Sequence, residues 1–235
     1  MNNSVAIMQP YLFPYIGYFC LLKASNHFVF YDDVNFIKKG WIHRNRILVN
    51  GREHLFTVPL EKSSQNLKIN EIRISDFNTF RTAFLKKTAL AYKKAPCFEQ
   101  GLAYIEQVLQ TDAHYISDLA IRSVTELSNL FSIKTCFYQS SRSFAATAEA
   151  GRAERLIEIV HSLGAQDYIN AAGGKALYQK SLFKEQGVNL SFLSPILDEY
   201  PQLNSKFIPG LSIIDLMMHL PLPTVAHMMD NYYLE

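Results

Sequence analysis

Apolar positions fall in short, regularly punctuated runs along this chain. The first, Val5-Ala6-Ile7-Met8, has no polar break, as a strand buried on both faces requires. Next comes Gln9-Pro10-Tyr11-Leu12-Phe13-Pro14-Tyr15, too punctuated for a regular element, then helix-compatible residues 16–25 and a second apolar run at 27–31. Strand, loop, helix and strand in this order predict a βαβ unit with parallel strands, and they place Pro10 to Tyr18 along a cleft beyond the carboxyl ends of those strands.

Residues 46–49 and 53–58 flank Asn50-Gly51, a pair that takes positive φ readily, so a β-hairpin is expected. Ser63 to Asn66 reads as loop and 69–74 as strand, while Asp76 is placed to cap a helix over 77–94 that stops before Pro96. Helical spacing resumes over 98–109 and 113–131, where Ile116, Leu119, Ala120, Val124 and Leu127 share one face. Alternation then returns: strand 134–139, helix 148–163 closed by Gly164, strand 167–170, helix 175–185 closed by Gly187, and strand 188–193. Residues 211–218 read as a helix buried almost all round, and 223–231 as a last short one. With no linker, repeat or low-complexity tract, the pattern predicts one α/β domain over 1–235, with a parallel-sheet core, a β-hairpin and a helical portion at about 77–131.

Composition adds exclusions. Of the 235 residues 49% are hydrophobic, enough for a core and too many for a disordered chain. The net charge of +2 is far from the single-sign excess of a protein that lives on phosphate backbones, so bulk nucleic acid is not an expected partner. Cys20, Cys97 and Cys136 have no C-x-x-C spacing and no accompanying histidine pattern, which argues against a disulfide framework and a zinc site. The apolar stretch from Val5 to Leu22 lacks a basic leader and carries Gln9, Pro10, Pro14 and Gly17, so neither a signal nor a membrane span is expected there and the cytoplasm is the expected location.

Candidate chemistry collects at strand ends. Gln9, Tyr11, Tyr15 and Tyr18 offer an amide and three rings able to stack on a flat ligand, and Gly17 allows close backbone approach; the plainer reading is that the aromatics cover the sheet. Asp32-Asp33 follows a strand, and Asp33 is a candidate proton carrier, although one carboxylate capping a turn explains the same letters. With no third ligand at fixed spacing, no metal site is assigned. The window Lys38-Lys39-Gly40-Trp41-Ile42-His43-Arg44-Asn45-Arg46 combines four cations, the single Trp and an imidazole. Arg44 with Trp41 and Asn45 suits anion recognition and His43 is a candidate general base, against a merely solvated charge run. Ser141 and Arg142, followed by Arg152-Glu154-Arg155 at a helix start, form a possible phosphate cradle; Asn170 and Gly173 mark another strand exit whose plainer reading is a turn. G-x-S-x-G, Walker A, H-E-x-x-H and G-x-G-x-x-G motifs are all missing, so the residues name no cofactor.

Ile7-Met8-Gln9-Pro10-Tyr11-Leu12-Phe13-Pro14-Tyr15-Ile16-Gly17-Tyr18-Phe19, Tyr31-Asp32-Asp33-Val34-Asn35-Phe36, Gly40-Trp41 with Arg44-Asn45, and Thr57-Val58-Pro59-Leu60 together resemble the WbqC-like protein family. Tyr168-Ile169-Asn170 to Gly173-Gly174 with Leu177-Tyr178, and Phe207-Ile208-Pro209 with Leu211 to Asp215, extend the resemblance over almost the whole chain. It implies a bacterial protein encoded with O-antigen and other surface-polysaccharide genes, with transfer of an amino acid such as glycine to an amino sugar as the implied chemistry; we widen this to acyl or aminoacyl transfer in polysaccharide or secondary-metabolite assembly. The order strand, Pro14-Tyr15-Ile16-Gly17-Tyr18, helix, strand also resembles the nucleotidyltransferase (HUP-type) α/β fold, here without the two histidines of its H-x-G-H motif.

Three function classes follow. The leading expectation is a group-transfer enzyme acting on an activated, phosphate-bearing small molecule. Its rivals are a non-catalytic module for a nucleotide-linked or carrier-linked sugar, a partner in a biosynthetic complex that would expose an apolar patch around Leu211 to Met218, and, within the enzyme class, a nucleotidyltransferase-like enzyme.

Overall fold

The computed structural model describes residues 3–203 and 206–235. Its chain runs β1 (Ser4–Met8), α1 (Ile16–Ala24), β2 (His27–Phe30), β3 (Arg44–Val49), β4 (Arg52–Thr57), α2 (Phe77–Tyr92), α3 (Phe98–Leu109) and α4 (Ile116–Leu130). The second half is β5 (Cys136–Gln139), α5 (Ser140–Ser143), α6 (Arg152–Ser162), β6 (Asp167–Ala171), α7 (Lys180–Glu185), β7 (Asn189–Pro195), α8 (Ile213–His219), α9 (Leu222–Met228) and β8 (Tyr232–Leu234).

Among the described residues, six strands form one sheet in the order β5-β2-β1-β6-β7-β8, all parallel except β8, which runs antiparallel to β7. Both faces are covered, so the strands are apolar at successive positions. Ala6, Phe28 and Phe30 join the core shared with α1, α4 and α8, while Val5, Ile7 and Val29 join Leu156, Val160 and Phe183 of α6 and α7 on the other face. The expected βαβ unit is present, with Val5 opposite His27 and Met8 opposite Phe30.

The hairpin is present too. Asn50 and Gly51 have φ of 51° and 73°, both positive as a two-residue type I′ turn requires, and Val49 pairs with Arg52 across it. Asp76 caps α2 by accepting from Thr79 N at 3.1 Å, and Gly164 and Gly187 end their helices at φ of 63° and 73°.

Several expectations need correction. Residues 69–74 are not a strand: Ile69 and Ile72 are both fully buried at a spacing of three, which fits the observed 3-10 turn at Ile69–Glu71. The helix expected at 175–185 begins only at Lys180, after a 3-10 turn at Ala172–Gly174. Strand β8 escaped the pattern because three residues carry too little periodicity to register.

The largest correction concerns the first loop. Pro10, Leu12, Phe13, Pro14 and Tyr18 are buried, so this loop fills the interior and does not line a cleft along its length. Phe13 stands at its centre with φ of 43° and is gripped from three sides: its N–H donates to Ser123 Oγ, and its carbonyl accepts from Asn45 Nδ2 and Ser212 Oγ. The stretch 211–218 is likewise interior, with Leu211 to Met218 at most 3% exposed, so it presents no apolar patch to a partner. Among the described residues no helix is long and apolar enough to cross a membrane.

Candidate functional site

In the sheet order, β2 lies on one side of β1 and β6 on the other, so the connections leaving these strands diverge. Such divergence opens a crevice at the carboxyl edge of a parallel sheet. A cleft of about 650 Å³ lies at that place. Ile7, Met8 and Gln9 at the end of β1 and Asn170 at the end of β6 form its floor, and the turn through Ala171, Gly173 and Gly174 borders it. Tyr31, Val34, Asn35 and Ile37 supply one wall; Arg152 and Leu156 of α6, with Leu177 and Tyr178, supply the other.

The polar groups of this cleft are held in place. Asn170 is 6% exposed and its Oδ1 accepts from Ala171 N at 2.8 Å, which leaves its Nδ2 on the side of Gly174. A Cβ added to Gly174 would come within 2.6 Å of that Nδ2, so only glycine lets the turn sit against the amide. Arg152 opens α6 and has no ion pair among the described residues. Tyr31 is backed by Arg155, whose guanidinium carbon lies 4.8 Å from the ring centre. Burial pushes the Tyr31 phenol above its ordinary range while Arg155 pulls it back; at Tyr178 burial again raises the value and Arg152 opposes it. Both phenols are therefore neutral donors at physiological pH.

Behind Tyr31 runs a buried ionic chain. Arg155 donates to Asp33 Oδ2 at 2.6 Å, with both side chains about 5% exposed, and to Thr147 Oγ1 at 3.2 Å. Strand β2 ends at Phe30, so Asp32 and Asp33 do not alternate faces, and both reach the Ser140 hydroxyl. Asp32 also caps α5, accepting from Ser141 N at 3.0 Å and Ser141 Oγ at 2.7 Å. The plainer reading of one aspartate as a turn cap thus fits Asp32. Ser141 is engaged with Asp32, and Arg142 is exposed over a different groove that it shares with Asp118 and Gln139, so the two do not form the expected cradle with Arg152, which lines the cleft.

The basic hairpin window makes a patch outside the cleft wall. Trp41 is 43% exposed, stacks on Tyr11 with ring centres 6.2 Å apart, and has the guanidinium carbons of Arg44 and Arg46 at 5.5 and 5.6 Å. Arg44 also donates to the carbonyls of Gly40 and Lys39, which closes the turn before β3. Asn45 is fully buried on Phe13, and Tyr18 donates to the Gln9 carbonyl at 2.9 Å. Tyr15 is half-buried with its ring over Gly17, where any Cβ would collide with it. Of the residues chosen from sequence, Gln9, Asn170 and Gly173 meet in the cleft, whereas Tyr11, Trp41 and Arg44 meet in the patch.

His43 is 7% exposed, packs on Phe36 and leaves Nδ1 without a hydrogen-bond partner among the described residues. Burial, helped by Arg44, pushes its pKa from 6.5 down to about 4. The unfolded chain therefore takes up this proton first as pH falls, and stability drops between about pH 6.5 and pH 4. The expected loss is about 2 kcal/mol. Urea midpoints at pH 7 and pH 4.5 measure it, and His43→Gln reduces the difference; an unchanged difference in that variant rules His43 out as its source.

The sequence pattern alone does not mark Tyr31, Asn35, Arg152, Gly174 and Tyr178 as cleft residues. Tyr31 reads there as the last apolar position of a strand and Tyr178 as an ordinary helix residue, so only the arginine-rich opening of α6 and the paired glycines gave a signal.

The model of the WbqC-like protein family matches residues 9–226, and the chain belongs to that family. It is also 26% identical over 221 residues to the uncharacterized protein Rv1507c of Mycobacterium tuberculosis, an alignment that spans 93% of this chain and 94% of that protein. No solved structure matches it.

Proposed function

We propose that this WbqC-like chain is a group-transfer enzyme that holds an activated, phosphate-bearing small molecule in the cleft between β1 and β6. The observation that carries the reading is the position of that cleft, at the point of divergence of a five-stranded parallel array whose order, renumbered along the sheet strands alone, is 3-2-1-4-5. Nucleotide-binding doubly wound sheets use the same order and the same crevice, which supports the HUP-type, nucleotidyltransferase-like character proposed for the core. The volume of about 650 Å³ suits an activated small molecule of acyl-phosphate size.

Arg152 and the Gly173-Gly174 turn face the anionic group, while Gln9, Asn35 and Asn170 orient the rest. The transfer in question is acyl or aminoacyl transfer to an amino sugar, in surface-polysaccharide or secondary-metabolite assembly. The acceptor nitrogen bonds the carbonyl carbon, the bond from that carbon to the phosphate oxygen breaks, and the electron pair leaves on the phosphate. The amine proton passes to solvent. Arg152 stabilises the charge that develops on the leaving phosphate.

A second reading, a ligand-binding module without chemistry, is favoured by one feature. Asp33 is committed to Arg155 and His43 is buried away from the cleft wall, so neither proposed proton carrier lines it. Mass spectrometry of incubations with acyl-phosphate and aminoacyl donors and amino-sugar acceptors separates the two readings: a covalent product supports transfer, and saturable binding without product supports the module. In either case Arg152→Ala is expected to weaken binding by about 10- to 100-fold, the worth of one charged hydrogen-bonding group. Isothermal titration measures this, and unchanged affinity removes the cleft from the reading.

A further inference from the structure

We infer that the cleft selects ligands carrying a single phosphate group and discriminates against di- and triphosphates, with Arg152 as the one cation described in its lining, Asn170 as the second phosphate anchor and Gly174 as the gauge of that anchor. This rests on the reading that the cleft binds phosphate-bearing molecules. Among the described residues that line it, Arg152 is the only charged one, and Arg155 immediately behind is neutralised by Asp33 at 2.6 Å. The site therefore offers one guanidinium fork, which matches two oxygens of one phosphate group, and no second cation for a chain of them.

Asn170 supplies the second anchor. It is 94% buried by its 6% exposure, it lines the cleft, and its Oδ1 is tied to Ala171 N while its Nδ2 donates to no described residue. An amide that lines a cavity with its acceptor tied inside the protein and its donors without a described partner is available to an acceptor oxygen bound there. Its approach is possible because Gly174 has no side chain: a Cβ there would press on Nδ2 at 2.6 Å. The rest of the wall is apolar or aromatic, with Ile37, Leu156, Leu177, Tyr31 and Tyr178, so the ligand joins its one phosphate to a ring of moderate polarity.

Isothermal titration of the purified chain with adenosine, AMP, ADP, ATP, UMP and ribose 5-phosphate tests the inference. The expected result is that a nucleoside monophosphate binds at least 10-fold more tightly than its nucleoside and at least 10-fold more tightly than its triphosphate. Gly174→Ala, checked by circular dichroism and thermal midpoint for an intact fold, weakens the monophosphate at least 10-fold and leaves the nucleoside within about 3-fold. Asn170→Ala does the same without adding bulk, which keeps the test valid if the alanine at 174 disturbs the turn. Triphosphate binding as tight as monophosphate binding, still lost in Arg152→Ala, overturns the selectivity and leaves the phosphate-binding reading standing. Folded Gly174→Ala and Asn170→Ala variants with unchanged affinities overturn the role of the amide. If no phosphate compound binds, the underlying reading fails and the inference with it.

Discussion

Asp33→Ala is expected to cost about 3 to 5 kcal/mol of folding stability, because it leaves the Arg155 guanidinium buried with no counter-charge. The pair is 2.6 Å apart, the two side chains are 5% and 6% exposed, and water cannot take over the missing contact without opening the space between α6 and β2. The loss reaches the cleft, since Arg155 supports the Tyr31 ring from behind. Urea denaturation measures the cost, and a double variant separates charge from packing. Asp33→Ala with Arg155→Met removes the stranded charge while keeping most of the arginine's volume, so it is expected to be more stable than Asp33→Ala alone. A loss below about 1 kcal/mol in the single variant, or a double variant less stable than the single, contradicts the account.

Asp215→Ala is expected to be comparably severe, at about 3 to 5 kcal/mol, by a different route. Asp215 is fully buried on α8 and accepts from Tyr92 Oη at 2.7 Å, Tyr200 Oη at 2.6 Å and Gln202 Nε2 at 3.2 Å. The Tyr92 hydroxyl in turn accepts from Leu48 N, so one carboxylate ties α8 to α2, to β3 and to the segment before it. Alanine leaves three donors unsatisfied inside the protein. For a chain of this length the thermal midpoint is expected to fall by about 6 to 20 °C. Asp215→Asn keeps one carbonyl acceptor and is expected to lose roughly half as much; equal losses in the two variants point to packing as the cause.

What the sequence made legible was local. The unbroken apolar run Val5 to Met8, the Asn50-Gly51 turn, the Asp76 cap and the stops at Gly164 and Gly187 each depend on neighbours within a few residues, and each is present. What was hidden depended on distant partners. Pro10 to Tyr18 looked like a ligand loop because its prolines and tyrosines suit an exposed edge; its burial follows from Ser123, Phe84 and Ser212, far along the chain. Asp33 looked like a proton carrier because nothing nearby announces an ion pair with a residue 122 positions away. The sequence puts Asn170 and Gly173 at a strand exit, and the structure has both on the cleft lining, Asn170 near the end of β6 and Gly173 just beyond it.

Phe13 also constrains the order of events during synthesis. Its peptide group is satisfied by Asn45, Ser123 and Ser212, which lie 32, 110 and 199 residues downstream. At about 5 to 20 residues per second the ribosome takes roughly 10 to 40 s to reach Ser212 after making Phe13. Through that interval the loop between β1 and α1 lacks the Ser212 hydroxyl that holds the Phe13 carbonyl in the folded protein. The earliest segment of the polypeptide is thus among the last to be locked.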